Sequence, residues 1–265
     1  MTRKVVSVLA AACLLGGAGL VQAGFSDDFE SYADTAAMLA PGAWGDDGGD
    51  GAAAVLEAAP LGNPGQDMWH SAGSTANHVI DPLTPSDAQP IVWQLDIFDD
   101  DAEGSKRVTG GLRDNGAGAP LASILEMGIY NDLANPADPE GAHISGYGIR
   151  TVFIGGDPPN WQAFPDDNHV RGGGWHTLTA TIRASDILFE LDRGADGSTD
   201  SQILVATTSG VVPYNILRLG GPSNLPSAGG GASFDNVSIN QIPEPTAIVL
   251  LGLGGLMLLR RRRTA

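Results

Sequence analysis

Acidic side chains are the residues of this sequence whose spacing most resembles a functional site, either for cation binding or for acid–base catalysis. Asp192, Asp196 and Asp200 are four residues apart, and Gly197 follows the central one. Carboxylates spaced in this way loosely resemble calcium loops, although the run lacks an Asp-x-Asp-x-Asp core and a bidentate Glu at its end. The same residues suit the turn of a β-hairpin. We therefore predict a hairpin turn, with a calcium loop as the alternative.

A second group of acids raises the question of catalysis. It comprises Asp96, residues 99–101 and Glu103, at the point where an apolar run meets a loop, whereas Glu126 is the lone acid of its own run. Glycoside hydrolysis needs two carboxylates that flank the scissile bond. Neither place shows such a pair by pattern, so we predict a solvated turn at the first, with a cation site or a catalytic pair as alternatives. The sequence as a whole favours a non-enzyme, with a divergent glycosidase as the alternative.

Other catalytic groups are sparse. No Gly-x-Ser-x-Gly motif is present, and the only cysteine, Cys13, falls in a predicted leader. The five histidines are scattered and none are spaced three or four apart as in a helical zinc site. We interpret His70 and His78 as polar loop residues and His176 as a strand residue.

The tryptophans divide into two sets. Trp93 and Trp175 lie in alternating apolar runs and are predicted core residues. Trp44, Trp69 and Trp161 lie in segments rich in Gly, Pro and Asp, where an exposed indole can stack on a sugar ring. These three residues are the candidate glycan-binding residues, and the alternative is that they pin loops onto the body of the protein.

The elements that would position these residues are β-strands. Apolar residues alternate with polar ones, and Gly, Pro, Asn and Asp separate the runs. The predicted strands cover residues 91–98, 148–154, 175–182, 187–191, 202–206 and 233–239, with one helical turn at residues 35–39. Short strands at this spacing predict an all-β sandwich of two antiparallel sheets.

Charge excludes several partners. Thirty of the 31 acidic side chains and only eight of the 14 basic ones lie in residues 24–241, which gives this region a formal charge of −22. Nucleic acid and anionic lipid are therefore poor partners. Solubility alone is the alternative explanation of the acids.

The N-terminus has the pattern of an export signal. A basic start, Arg3 and Lys4, precedes an apolar run that ends in small residues at Ala23. Cleavage after Ala23 is predicted, and a lipoprotein signal at Cys13 is the alternative.

The C-terminus combines three features in order. Pro243, Glu244 and Pro245 interrupt regular structure, residues 247–259 form an uncharged apolar run, and four arginines follow it (Arg260, Arg261, Arg262 and Arg263). Thirteen residues span about 20 Å as a helix, short for a permanent anchor. The order resembles the PEP-CTERM sorting signal of Gram-negative bacteria that produce exopolysaccharide. The resemblance implies transient insertion in the inner membrane and processing by an exosortase, and a simple anchor is the alternative.

The strands carry a second resemblance. Residues 25–32 open the central region, residues 234–239 close it, and residues 175–178 and 189–192 lie between them. This arrangement is similar to the concanavalin A-like (laminin-G-like) jelly rolls, a family of lectins, carbohydrate-binding modules and glycosidases. It implies that the first and last strands are adjacent. Asp28 or Glu30 should then lie near Asp235, and we predict one calcium ion there.

These inferences define three segments and one function. Residues 1–23 are a predicted signal peptide, residues 24–241 a concanavalin A-like jelly-roll sandwich, and residues 242–265 a sorting signal with a short hydrophobic helix. We expect an exported, non-enzymatic protein of the cell surface or extracellular matrix that binds glycan. The expected partners are exosortase, the inner membrane and exopolysaccharide, and not nucleic acid.

Overall fold

The computed structural model describes residues 22–46, 54–71, 73–102, 105–114, 123–134, 143–152, 161–165, 168, 170–207, 213–222 and 229–242. Within these residues the chain forms two antiparallel sheets and one helical turn, α1 (Thr35–Met38), which Asp34 caps. The all-β, two-sheet sandwich predicted from the alternating runs is confirmed. No described helix is both long and apolar enough to cross a membrane.

The larger sheet has eight strands. Seven follow the order β12-β11-β10-β5-β14-β3-β2, and β1 pairs with β14. Its strands are β1 (Gln22–Asp27), β2 (Ala54–Ala58), β3 (Gln66–Ser71), β5 (Ile91–Asp99), β10 (Gly174–Ile182), β11 (Asp186–Arg193), β12 (Ser201–Ala206) and β14 (Gly231–Gln241). The pairing of β1 with β14 confirms that the first and last strands are adjacent.

The smaller sheet has six strands in the order β4-β13-β6-β7-β8-β9. Its strands are β4 (Thr75–Leu83), β6 (Val108–Asp114), β7 (Ser123–Leu133), β8 (Ile144–Val152), β9 (Gln162–Ala163) and β13 (Tyr214–Gly220). The two sheets bury one shared hydrophobic core between them.

Alternation decides which side chains enter that core. Trp93 and Leu95 of β5 are fully buried, as is Leu178 of β10, which confirms Trp93 as a core residue. The expectation for Trp175 is wrong, because that residue lies on the other face of β10 and is only half-buried. Its indole N–H donates to the carbonyl of Pro60 at 3.0 Å, so a loop covers it on the outside of the sheet.

The last residue of β5, Asp99, belongs to a buried ion cluster, which corrects the prediction of a solvated turn for that residue. Asp100 and Asp101 are exposed, as a solvated turn predicts, and Glu103 lies outside the described residues. Asp99 and Lys106 are both fully buried, with Lys106 Nζ 3.0 Å from Asp99 Oδ1. Lys106 also contacts Asp100, and Arg171 Nη2 lies 2.6 Å from Asp99 Oδ1. Burial alone would raise the pKa of Asp99, but the hydrogen bonds of Arg171 and the charge of Lys106 outweigh it and hold this pKa low.

The predicted terminal signals fall almost wholly outside the described residues. Ala23 is the exception, since it lies within β1, where Gln22 pairs with Gln241. Cleavage after Ala23 would remove that first pair and keep the pairing of Phe25 with Ile239. Pro243, Glu244, Pro245 and the four arginines lie beyond Ile242, the last described residue.

Candidate functional site: an acidic groove on the larger sheet

Carboxylates cross the outer face of the larger sheet in a row. Strand pairing places Glu57 of β2 beside Asp67 of β3, and Asp235 of β14 beside Asp96 of β5. Asp96 and Asp192 both lie beside Thr177 of β10, one on each side. Phe234 pairs with Met68, so their chain neighbours Asp235 and Asp67 also meet across β14 and β3. We call this set the acidic row (Glu57, Asp67, Asp235, Asp96 and Asp192). Its members alternate with core residues and therefore point away from the core.

Two adjoining depressions follow part of this row. One, of about 570 Å³, is lined by Ser26, Asp27, Asp28, Gln94, Asp96, Asn236, Val237 and Ser238. The other, of about 280 Å³, is lined by Gln94, Thr177, Thr179, Glu190, Asp192, Ala195, Gly197 and Thr199. Both depressions are lined by Gln94 and therefore adjoin; together they lie on β1, β14, β5, β10 and β11, and we call the pair the acidic groove. Among its described lining residues are five carboxylates and no basic or aromatic side chain.

Asp96 and Asp235 form the centre of the acidic row. Thr177 Oγ1 and Asn236 Nδ2 donate to the two oxygens of Asp96 at 2.6 and 2.9 Å. The backbone N–H of Asn236 and the side-chain amide of Asn63 donate to the two oxygens of Asp235 at 2.7 and 2.5 Å. Burial raises the pKa of both carboxyls, that of Asp235 to about 6. The nearby negative charges of the row contribute to both shifts.

Asp67 and its partner across the strands, Glu57, are the two members of the row that sequence patterns do not reveal. Asp67 is fully buried, and among the described residues neither of its carboxylate oxygens has a hydrogen-bond partner within normal geometry. Burial raises its pKa to about 7; a weak interaction with Ser233 opposes the shift, and the charges of Glu57 and Asp235 add to it. This carboxyl is therefore partly protonated near neutral pH. In the sequence, Asp67 lies between Gln66 and Met68, and neither neighbour is an acid that would indicate a site.

The carboxylates predicted to bind calcium are only partly brought together. Asp28 lies close enough to Asp235 for its charge to raise the pKa of Asp235. Glu30 instead accepts the backbone N–H of Gln66 at 2.7 Å and is exposed. Asp235 accepts one hydrogen bond on each oxygen, from Asn236 and Asn63. No group of three or more His, Cys, Asp or Glu side chains in the described residues has the arrangement of a metal site.

The second candidate calcium loop is a hairpin turn, as preferred from the sequence. β11 and β12 pair from Asp186 with Ala206 to Leu191 with Ser201. Asp192 accepts the backbone N–H groups of Asp196 and Gly197, at 3.1 and 2.7 Å. Asp200 accepts the N–H of Arg193 at 2.7 Å. The carboxylates thus shape the turn that closes one end of the acidic groove.

Two of the three candidate sugar-stacking tryptophans are buried, which corrects the prediction for them. Trp44 is fully buried in the core, and its indole N–H donates to Asp27 at 2.8 Å. Trp161 is 4% exposed and stacks on Tyr130 with ring centroids 4.4 Å apart. Trp69 lies in β3 and not in a loop; it is half-buried and its ring covers Gly231. The alternative, that these rings hold segments onto the body, describes Trp44 and Trp161.

The two carboxylates considered for catalysis lie on opposite sides of the sandwich. Asp96 is on the outer face of the larger sheet, whereas Glu126 is on the outer face of the smaller sheet and pairs with Arg150 at 3.2 Å. They cannot act on one bond. The histidines also differ from expectation, because His70 and His78 lie in β3 and β4 and not in loops. His176 is a buried strand residue whose ring bonds to the backbone of Gly172 and Gly194.

Comparisons with known proteins give structural neighbours only. No family model matches the chain, and no curated protein matches it. Domain 4 of AbnA, a GH43 extracellular arabinanase from Geobacillus stearothermophilus, is 12% identical over 89% of this chain and 90% of its own, with a TM-score of 0.40. The Lotus tetragonolobus seed lectin is 12% identical over 83% of this chain and 98% of its own, also with a TM-score of 0.40. A carbohydrate esterase of the Shiga toxin-encoding bacteriophage phi24B is 10% identical over 75% of this chain and 89% of its own, with a TM-score of 0.43.

Proposed function

We propose that the protein binds a glycan chain in the acidic groove. The observation that carries the proposal is the lining of the groove, which consists of carboxylates, amides and hydroxyls on the outer face of a sheet. Sugar hydroxyls donate to carboxylates, and side-chain amides can both donate and accept. The negative charge favours a neutral or amino-bearing glycan over an anionic one. Gln94 lies at the centre, since it lines both halves of the groove.

Binding without hydrolysis is part of the proposal. Every oxygen of Asp96 and Asp235 accepts a hydrogen bond from the protein, an arrangement that holds them in place. A divergent glycosidase is the second candidate, and the specific observation in its favour is this adjacent pair with raised pKa values. Release of reducing sugar from a bound glycan, lost in Asp96→Asn, would support the enzyme. Its absence under the same conditions supports binding alone.

Export and sorting complete the proposal. The basic and apolar N-terminus and the Pro-Glu-Pro tail with its arginine cluster support delivery to the cell surface or extracellular matrix, with exosortase as the processing partner. Calcium stays a prediction. If calcium binds the folded chain, the melting temperature rises with millimolar calcium and falls with chelator. An unchanged melting temperature would contradict the prediction that calcium binds the folded chain.

A glycan array tests the proposal. The chain spanning residues 22–242 contains every described strand, and we expect it to retain neutral or amino-bearing polysaccharides. Gln94→Ala should weaken retention several-fold, because the loss of one hydrogen bond costs about 1 kcal/mol. Gln89→Ala is the matched control, since Gln89 lies in the turn before β5 and outside the groove. Equal retention by all three proteins would contradict the proposal.

A further inference from the structure

The outer face of the smaller sheet concentrates positive charge in a chain that is otherwise strongly acidic. Three of the eight basic residues between positions 24 and 241 project from this face: Arg113 of β6, Arg150 of β8 and Arg218 of β13. They alternate with core residues such as Leu112, Ile149 and Leu217, so they point away from the core. We call these three residues and the carboxylate between them, Glu126 of β7, the arginine face.

Strand register fixes the order of the arginine face. Arg218 pairs with Gly111, Gly111 with Glu126, and Glu126 with Arg150. The residue between Arg218 and Glu126 is Gly111, which has no side chain. A Cβ on Gly111 would lie 3.4 Å from Cβ of Arg218 and 3.7 Å from Cγ of Glu126. Arg113 follows Gly111 by two residues in β6 and so lies on the same face of the sheet. Gly111 is buried and a Cβ there would be in ordinary van der Waals contact, so the strands that carry Arg218 and Glu126 pack closely at this position.

One carboxylate stands among three guanidinium groups on this face. Glu126 is 2% exposed and contacts Nη1 of Arg150. Arg218 donates to the neutral side chains of Asn77 and Thr75, at 3.1 and 2.8 Å. The described part of the face therefore carries more positive than negative charge.

Arg113 is the residue that points to a ligand. Its Nε is buried and donates no hydrogen bond to any described residue. Burial lowers the pKa of Arg113, the charge of Glu126 opposes the shift, and the charge of Arg150 adds to it. The side chain of Arg113 is half-buried. A buried guanidinium N–H without an acceptor is unfavourable, and an anion that accepts from it would offset that cost.

We propose that the arginine face binds an oxyanion, such as a sugar carboxylate or a sulfate group, with Arg113 and Arg150 as its donors. The planar guanidinium fork matches a carboxylate or a sulfate through two parallel hydrogen bonds. The side chain of Arg150 keeps 16% of its surface exposed, which leaves an approach from solvent. The site rests on the smaller sheet alone and is independent of the acidic groove on the other side of the sandwich.

Calorimetric titration of the full chain with glucuronate, glucose and sulfate tests the site. Glucuronate differs from glucose in its carboxylate, so glucuronate should bind and glucose should not at the same concentration. Sulfate should compete with glucuronate, since both present oxyanions to the same donors. Arg113→Gln should weaken glucuronate binding about tenfold, as expected for the loss of a charge-assisted hydrogen bond.

Two further variants keep the test falsifiable. Arg113→Lys keeps the positive charge and loses the two parallel donors of the guanidinium, so it should bind glucuronate more weakly than the parent does. It provides a test of the site if Arg113→Gln does not fold. Arg183→Gln is the matched control, because Arg183 pairs with Asp186 at 2.8 Å on the larger sheet, and it should bind as the parent does. Unchanged binding in a folded Arg113 variant, or equal binding of glucose and glucuronate, would overturn the proposal. An absence of any glucuronate binding would overturn it as well.

Discussion

Replacement of Asp67 by Asn should change how the stability of the protein depends on pH. Asp67 is fully buried, and its pKa is raised from 3.8 to about 7 in the folded chain. Below pH 4 the carboxyl is protonated in both the folded and the unfolded state, so it contributes no pH dependence there. Above pH 7 it is ionised in both states, and the folded state carries the whole cost of the buried charge. The parent should therefore lose stability as pH rises from about 4 to 7.

The size of this effect follows from the shift. A difference of about three pKa units corresponds to about 4 kcal/mol, since each unit is worth about 1.4 kcal/mol. Asn is isosteric with the protonated acid and does not ionise. The free energy of unfolding of the parent should therefore fall by about 4 kcal/mol between pH 4 and pH 8 because of Asp67, and this fall should be absent in Asp67→Asn. For a chain of this size, 1 kcal/mol shifts the melting temperature by about 2 to 4 °C, so the effect is about 8 to 16 °C.

Thermal unfolding by circular dichroism at pH 4, 6 and 8 measures the effect. The quantity of interest is the difference in melting temperature between Asp67→Asn and the parent, which should grow with pH. Asp81→Asn is the control, because Asp81 is exposed on β4, and its difference from the parent should stay small. Parallel pH profiles for the parent and Asp67→Asn would refute the assignment of Asp67 as a buried acid that ionises at a cost.

Further predictions concern the ion cluster, the aromatic residues and the tail. Lys106→Met should destabilise the protein by about 1.5 to 3 kcal/mol in urea unfolding, because it removes one of the two cations that contact buried Asp99 and leaves Arg171 as the other; a loss below 1 kcal/mol would contradict the cluster's role. Trp93→Ala should cost about 3 to 5 kcal/mol as a core truncation, measured in the same way, and a cost near zero would count against its burial. Mass spectrometry of surface protein from the native host should find cleavage after Ala23 and near Pro243, and an intact C-terminus would leave a simple anchor.

The fold was predictable because its signal is local. The alternation in residues 91–98 and 175–182 fixed which side chains face the core, and β5 and β10 pair with those faces aligned. The hairpin at Asp192 was predictable for the same reason, since its turn residues sit between two apolar runs. The same alternation places Trp175 with Thr177 on the outer face of β10, so the expectation that Trp175 is a core residue followed from its apolar character and not from the pattern. A loop carbonyl accepts its indole N–H there.

The candidate site depended on pairing between distant segments, which sequence patterns do not show. Asp96 and Asp235 lie 139 positions apart in the sequence, and they are neighbours because β5 pairs with β14. Asp67 reaches the same row through β3. The Gly- and Asp-rich segment around Trp44 predicts an exposed ring, whereas the ring is buried in the core and hydrogen-bonded to Asp27, 17 positions earlier. Single-sequence reasoning therefore gave the strands but not the contacts made between their outer faces.

Chemical-shift mapping by NMR tests the central claim most directly. A polysaccharide retained by the protein is titrated into the isotopically labelled chain, and the backbone amides are followed. We expect the largest shifts at Gln94, Thr177 and Asn236, which line the acidic groove, and little change on the smaller sheet. Shifts confined to the smaller sheet, or an absence of shifts at these three residues, would contradict glycan binding in the groove.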